Sequence, residues 1–181
     1  DNVAIIRVDC KETFEKLVQF SQDFVPGVKE KLVFYDSETP VFDMYGVEQE
    51  LEKALNREVY LKSGGRLVFD QTEAMTTIDV NTGAFIGSRN LEETIFKTNL
   101  EAVQVLSRQL RLRNLGGIII IDFIDMTEQE HRDQVMSALL KALDRDHAKI
   151  NVGEFSPIGL VQLTRKRTSE SLSQQLCMSC P

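Results

Sequence analysis

The chain has 181 residues, 42% of them hydrophobic, and its 21 Lys and Arg against 28 Asp and Glu leave a net charge of −7. That length and apolar content are enough for one ordinary domain, or one domain plus a fragment, while the acidic balance argues against a general nucleic-acid binder, which carries a basic excess. No apolar run approaches the roughly 18 residues a spanning helix needs, and no basic-then-hydrophobic leader follows Asp1, so neither a membrane nor a secreted protein is expected.

Residues 3–8 read as a strand, 11–20 as a helix and 32–35 as a second strand, a small α/β opening. Val47, Leu51, Ala54 and Leu55 recur at helical spacing; the period then switches, and 58–61 and 66–70 read as paired strands around Ser63-Gly64-Gly65. A soft boundary falls near Asn56. A strand-like run ends at Asn81, and Gly83 and Gly87 follow in a loop. Asn90 and Glu93 have the spacing of a capping box. They open a long helix carried by Leu91, Ile95, Phe96, Leu100, Val103, Leu106 and Leu110, which Gly116-Gly117 stops. Ile118 to Ile121 reads as a strand buried on both faces. Thr127 and Glu130 repeat the capping signature before a helix through Val135, Met136, Leu139, Leu140 and Leu143. Between Lys149 and a Ser- and Gln-rich tail from Ser169 no element is assigned.

Asp79 and Asp122 each stand where an apolar strand-like run gives out, the rim at which α/β folds gather ligands. Two such carboxylates are the minimum that holds magnesium while leaving positions for phosphate and water; the same residues would also serve as turn or helix caps. Asn81, two residues after Asp79, shares its face if the strand continues and would orient a carboxylate or water without adding charge, or else it is a turn residue. Asp125 reads as support for the strand-to-helix turn.

Three basic groups stand out: Arg108, Arg111 and Arg113; Arg145, His147 and Lys149; Arg165, Lys166 and Arg167. Each would grip phosphate, although basic residues near helix ends also complement the helix dipole. Cys10 stands alone. Cys177 and Cys180 have zinc-type C-x-x-C spacing, and two sulfurs do not complete a tetrahedral site, so further ligands would come from elsewhere. The absent initiator methionine and the stop after CMSCP suggest a piece of a longer protein.

Three strings carry a resemblance: SGGRLVFDQTEAMTTIDVNTG from Ser63 to Gly83, LEETIFKTNLEA from Leu91 to Ala102, and RQLRLRNLGGIIIIDFIDM from Arg108 to Met126. Through them the chain resembles the ribonuclease E/G family of bacterial endoribonucleases over nearly its whole length, with the CMSCP ending on the ribonuclease G side. The resemblance implies a magnesium-dependent cut in single-stranded RNA that leaves a 5′-phosphate and a 3′-hydroxyl, in cytoplasmic ribosomal RNA maturation and messenger RNA decay. Asp79 and Asp122 match the family's metal-binding aspartates and Asn81 its supporting polar residue. Residues 1–55 match the C-terminal part of an RNase H-like subdomain and 56–176 a deoxyribonuclease-I-like α/β catalytic subdomain.

Residues 177–181 match a truncated zinc link. There Cys180-Pro181 is the first half of a C-P-x-C string that joins two chains through one zinc, and Cys177 is a substitute ligand. The implied partners are single-stranded RNA with a 5′-monophosphate and further copies of the chain, as a dimer or larger oligomer. Arg113, Lys149 and Arg165 are the candidate RNA contacts. The family's oligonucleotide-binding barrel and its pocket for the RNA 5′-monophosphate lie upstream of what Asp1 begins, so these residues alone are expected to cut weakly or not at all. Two other readings remain: a folded module that only self-associates through an uncovered apolar face, and a metal-dependent phosphatase or DNA nuclease on the same fold.

Overall fold

The structure is a computed structural model that describes residues 3–83 and 91–177. The chain divides into two compact units, residues 1–52 and 53–181.

In the first unit β1 (Ile6–Val8) pairs in parallel with β2 (Leu32–Phe34), Arg7 opposite Val33. Between them run α1 (Lys11–Phe24), four residues longer than its periodicity suggests, and α2 (Pro26–Lys29), whose proline stands at the first helical position where no amide is needed. Phe14 of α1 meets Phe34 of β2 with ring centroids 5.5 Å apart. α3 (Val41–Met44) follows, its first amide donating to Asp9 Oδ2, and the division between the units falls inside α4 (Val47–Leu55). Two strands give too little surface for an independent core. Phe20, Phe24, Phe42, Met44 and Tyr45 are accordingly each half or more exposed.

The second unit is built on β3 (Glu58–Tyr60), β4 (Arg66–Gln71), β5 (Met75–Asn81), α5 (Leu91–Leu112), β6 (Gly117–Asp122), α6 (Gln129–Leu143), β7 (Ile150–Phe155), β8 (Leu160–Arg165) and α7 (Leu172–Leu176). Its six-stranded sheet has the order β3-β4-β5-β6-β8-β7. Only β5 and β6 pair in parallel, which requires a long crossover, and α5 supplies it. The α/β class holds, with a mixed sheet.

Period-two alternation divides the sheet into a covered and an open face. Ile78 and Val80 of β5, Leu67 and Phe69 of β4, Ile119 and Ile121 of β6, and Val161 and Leu163 of β8 are buried with Val103, Leu106 and Leu110 of α5 and Val135 and Leu139 of α6. The expectation that Ile118 to Ile121 is buried on both faces is corrected. Ile118 is 40% exposed, because both helices that pack on β6 use the same side of the sheet. The β7–β8 hairpin was not anticipated at all. It adds to the free side of β6 with Asp122 opposite Leu160 and Gly117 opposite Arg165. Among the described residues no helix is long and apolar enough to cross a membrane.

Candidate active site

Asp79 and Asp122 are partners in the β5–β6 ladder, forty-three residues apart in sequence and directly opposite in register. Their inward neighbours Ile78, Val80 and Ile121 are buried, so both carboxylates project from the open face, and both are exposed. Neighbouring strands lie about 4.8 Å apart, a spacing at which one small cation is within reach of both acids. Strand β5 continues through Asn81, whose Nδ2 donates to Asp79 Oδ2 at 2.7 Å. Asn81 is thus a carboxylate-orienting group on the same face, not a turn residue.

Burial and the negative charges of Asp79 and Asp125 raise the pKa of Asp122 above the ordinary aspartate value. Asp125 is exposed and faces the β7–β8 turn, where a Cβ on Gly159 would meet its Oδ1 at 3.0 Å. No group of three or more His, Cys, Asp or Glu among the described residues forms a cage for a metal. Two adjacent carboxylates could instead hold an ion that keeps its own waters. Oxygen donors of this kind suit magnesium and do not suit a soft metal.

The segment from Asp122 to α6 is pinned by residues that sequence reasoning missed. Asn99 of α5, fully buried, donates from Nδ2 to the Ile124 carbonyl at 2.8 Å and accepts the Ile124 amide on Oδ1 at 3.2 Å. A polar residue at a buried position of a helix is the one signal that marks it. Replacing Asn99 with leucine is expected to orphan both backbone groups and cost about 3 kcal/mol, read by urea unfolding.

The capping box expected from Thr127 and Glu130 is replaced by a cap from another helix. Glu92 of α5 accepts the Thr127 amide (3.0 Å), the Thr127 hydroxyl (2.8 Å) and the Glu128 amide (3.2 Å), and stands 3.2 Å from His131 Nδ1. His131 in turn stacks on Phe96. Arg132 closes the loop by donating to the Met126 and Thr127 carbonyls. The Asn90 end of the other capping box lies outside the described residues.

The Thr127 hydroxyl above all, then the amides and His131, outweigh burial and hold Glu92 down at about 2. A depressed carboxylate contributes stability above its ordinary range and loses it on acidification. The stability difference between wild type and Glu92→Gln is therefore expected to be full at neutral pH and to close as pH falls toward about 2, in unfolding curves taken across that range. At this same end of β5 the β3–β4 turn abuts Asn81, and a Cβ on Gly65 would meet the Asn81 carbonyl at 2.7 Å. Glu101 of α5 holds that turn by accepting the Lys62 and Ser63 amides.

The basic residues read as RNA contacts do not join the aspartates. Arg165 is 6% exposed on the covered face, at the end of β8 that pairs with Gly117, roughly 17 Å along the strand from Asp122. Its guanidinium is bound to Asp146 (2.8 and 3.2 Å), Asn114 Oδ1 and the Leu115 carbonyl. Arg113 is 7% exposed against Phe69 of the covered face. As placed, neither offers its guanidinium to a strand on the open face. Lys149 is exposed, next to Ile150, which pairs with Arg165. Cys177 is an exposed free thiol at the end of α7, and Cys180 lies outside the described residues.

A model of the Ribonuclease E/G family matches residues 1–168. The chain is 56% identical to Ribonuclease G of Salmonella typhimurium over 176 residues, 97% of this chain and 36% of that protein. It is 55% identical to Ribonuclease G of Haemophilus influenzae over 99% of this chain and 37% of the relative, and 44% identical to Ribonuclease E of Escherichia coli over 86% and 15%. The chain therefore spans little more than a third of the ribonuclease G relatives. The order and spacing of strands, aspartates and buried asparagine described above sit inside the matched residues, and the chain belongs to the ribonuclease E/G family.

Proposed function

We propose that this chain is the catalytic part of a magnesium-dependent endoribonuclease that cuts single-stranded RNA to a 5′-phosphate and a 3′-hydroxyl. The observation that carries the reading is the in-register pair of Asp79 and Asp122 on an open sheet face, with Asn81 bonded to the first. Asp79 and Asp122 would hold the ion, which when bound offsets phosphate charge and makes a water more acidic. Asn81 fixes the rotation of Asp79 without adding charge. Asn99 and Glu92 keep the Asp122 loop in one place, and Asp125 adds negative field at its edge.

Family membership supports the remaining parts of the reading. Residues 56–176 are a deoxyribonuclease-I-like subdomain, in keeping with helices on one face of a mixed sheet and acids on the other, and 1–55 belong to an RNase H-like subdomain. Lys149 is the accessible basic candidate for the RNA strand, which carries a 5′-monophosphate. Cys177 and Cys180 belong to a zinc link between two chains, and the setting is ribosomal RNA maturation and messenger RNA decay in the cytoplasm. The family match favours hydrolysis over a module that only self-associates.

Incubation of a 5′-phosphorylated single-stranded RNA with this chain, and with a longer chain carrying the upstream barrel, tests the reading. Magnesium-dependent products with 5′-phosphate ends are expected, far more slowly from the 181 residues alone. Cleavage undiminished by EDTA, or products with 5′-hydroxyl ends, would sink it.

A further inference from the structure

Two arginines of the second unit are almost equally buried and are treated differently by the fold. Arg165, 6% exposed, has a carboxylate, an amide oxygen and a carbonyl around it. Arg113, 7% exposed, makes one side-chain hydrogen bond among the described residues, from Nε to Gln109 Oε1 at 2.7 Å. Its Nη2 is buried without a partner, and no described carboxylate pairs with it. The face of Phe69, 4.2 Å from the guanidinium carbon, offsets part of the desolvation. It supplies no acceptor. A buried cation left this way is disfavoured unless something else brings the missing charge, and burial alone accounts for its pKa, lowered to about 10.

Arg113 lines a cavity of about 240 Å³ whose apolar walls include Leu55, Phe69, Leu115 and Leu172. Three further polar residues border it. Ser173 Oγ donates to Oε1 of Gln71, an exposed residue whose amide nitrogen adds a donor at the cavity edge. Arg57, on the rim, is committed to Asp70 through two hydrogen bonds of 2.6 and 2.7 Å. The cavity thus presents one buried, charged donor without a partner, Arg113 Nη2, an exposed amide donor on Gln71 at its edge, and no carboxylate among its lining residues. It lies against Phe69 of the covered face, apart from the aspartate pair.

We propose that the cavity at Arg113 is a binding site for an oxyanion of the phosphate class, taken either as free phosphate or as a backbone phosphate of a nucleic-acid strand, with Arg113 Nη2 and Gln71 Nε2 as donors. Planar guanidinium donors match phosphate oxygens, and a charge-assisted bond in a dry site is strong. The site is independent of the hydrolytic reading, and its test does not use activity.

Thermal unfolding of the chain is followed in chloride buffer at constant ionic strength, with inorganic phosphate titrated in one arm and a short single-stranded RNA without terminal phosphates in the other. At ten times its dissociation constant the ligand is expected to raise the wild-type melting temperature by about 3 °C. It is expected to leave Arg113→Met unmoved. Without ligand, Arg113→Met is expected to melt no lower than wild type, since methionine fills the space with no charge to desolvate. A shift with phosphate alone assigns a discrete small-anion site, and a shift with RNA alone assigns a backbone contact; either supports the proposal if Arg113→Met abolishes it. No wild-type shift in either arm, or an undiminished shift in Arg113→Met, overturns it. So does an Arg113→Met chain that is unfolded or melts well below wild type without ligand, because that shows a guanidinium already satisfied by the fold.

Discussion

Replacing Asp122 with asparagine is expected to lower RNA cleavage by about 10³-fold or more, several kcal/mol of lost charge stabilisation, while the chain stays folded and melts higher than wild type in metal-free buffer. The two effects have one cause. Asp122 is held beside Asp79 and near Asp125, partly out of water, and ionises against both. In the proposed function the acid would serve a ligand at some expense to the fold, a usual relation between site and scaffold. Asparagine has the same shape and removes one of the facing charges. Single-turnover cleavage in magnesium by the longer chain that carries the upstream barrel, and melting curves of the 181 residues in EDTA, read the two effects separately. Cleavage within tenfold of wild type would remove Asp122 from the centre, and a lower melting temperature would show that the facing charges are not a burden on the fold.

Arg165→Ala is expected to cost about 3–5 kcal/mol of stability, the cost of leaving a buried charge alone. Asp146, whose side chain is 3% exposed, would lose its bidentate partner, and Asn114 and the Leu115 carbonyl would lose a donor at the start of β6. Asp146 is held below the ordinary aspartate range by Arg165 and the Ala148 amide against the opposing effect of burial, so the pair is ionised at neutral pH. Because the partners share one interaction, Arg165→Ala with Asp146→Ala should cost less than the sum of the single changes. Urea unfolding of the four proteins measures this. If Arg165→Ala leaves stability unchanged and lowers RNA affinity, the residue is a strand contact after all.

What could be read in the sequence was what depends on neighbours a few residues away. The long helix through Val103, Leu106 and Leu110 and the acid-ended strand at Ile118 to Ile121 are local patterns, and both are present. The face on which the isoleucines are buried is not local; it depends on both helices packing on one side. The Thr127–Glu130 cap failed for the same reason, since Glu92 reaches across thirty-five residues to Thr127 and displaces a box that short-range spacing made plausible. The β7–β8 hairpin was hidden because Gly153 and Glu154 interrupt its first strand, where the pairing with β8 is irregular. The burial of the arginines was not legible because a guanidinium near a helix end looks the same whether it faces water, a buried Asp146 as Arg165 does, or the ring of Phe69 as Arg113 does. The aspartate pair was legible because each acid interrupts an apolar run, while their exact opposition required the ladder itself.

The gap between the two acids is set by main-chain hydrogen bonds of a parallel ladder, with no side chain acting as a ruler. Trimming a core residue such as Leu106 should therefore reduce how many molecules are folded without changing how fast each folded one turns over. Slippage of β6 by a single residue would instead send one carboxylate to the opposite side of the sheet and silence every molecule, even those that remain fully folded.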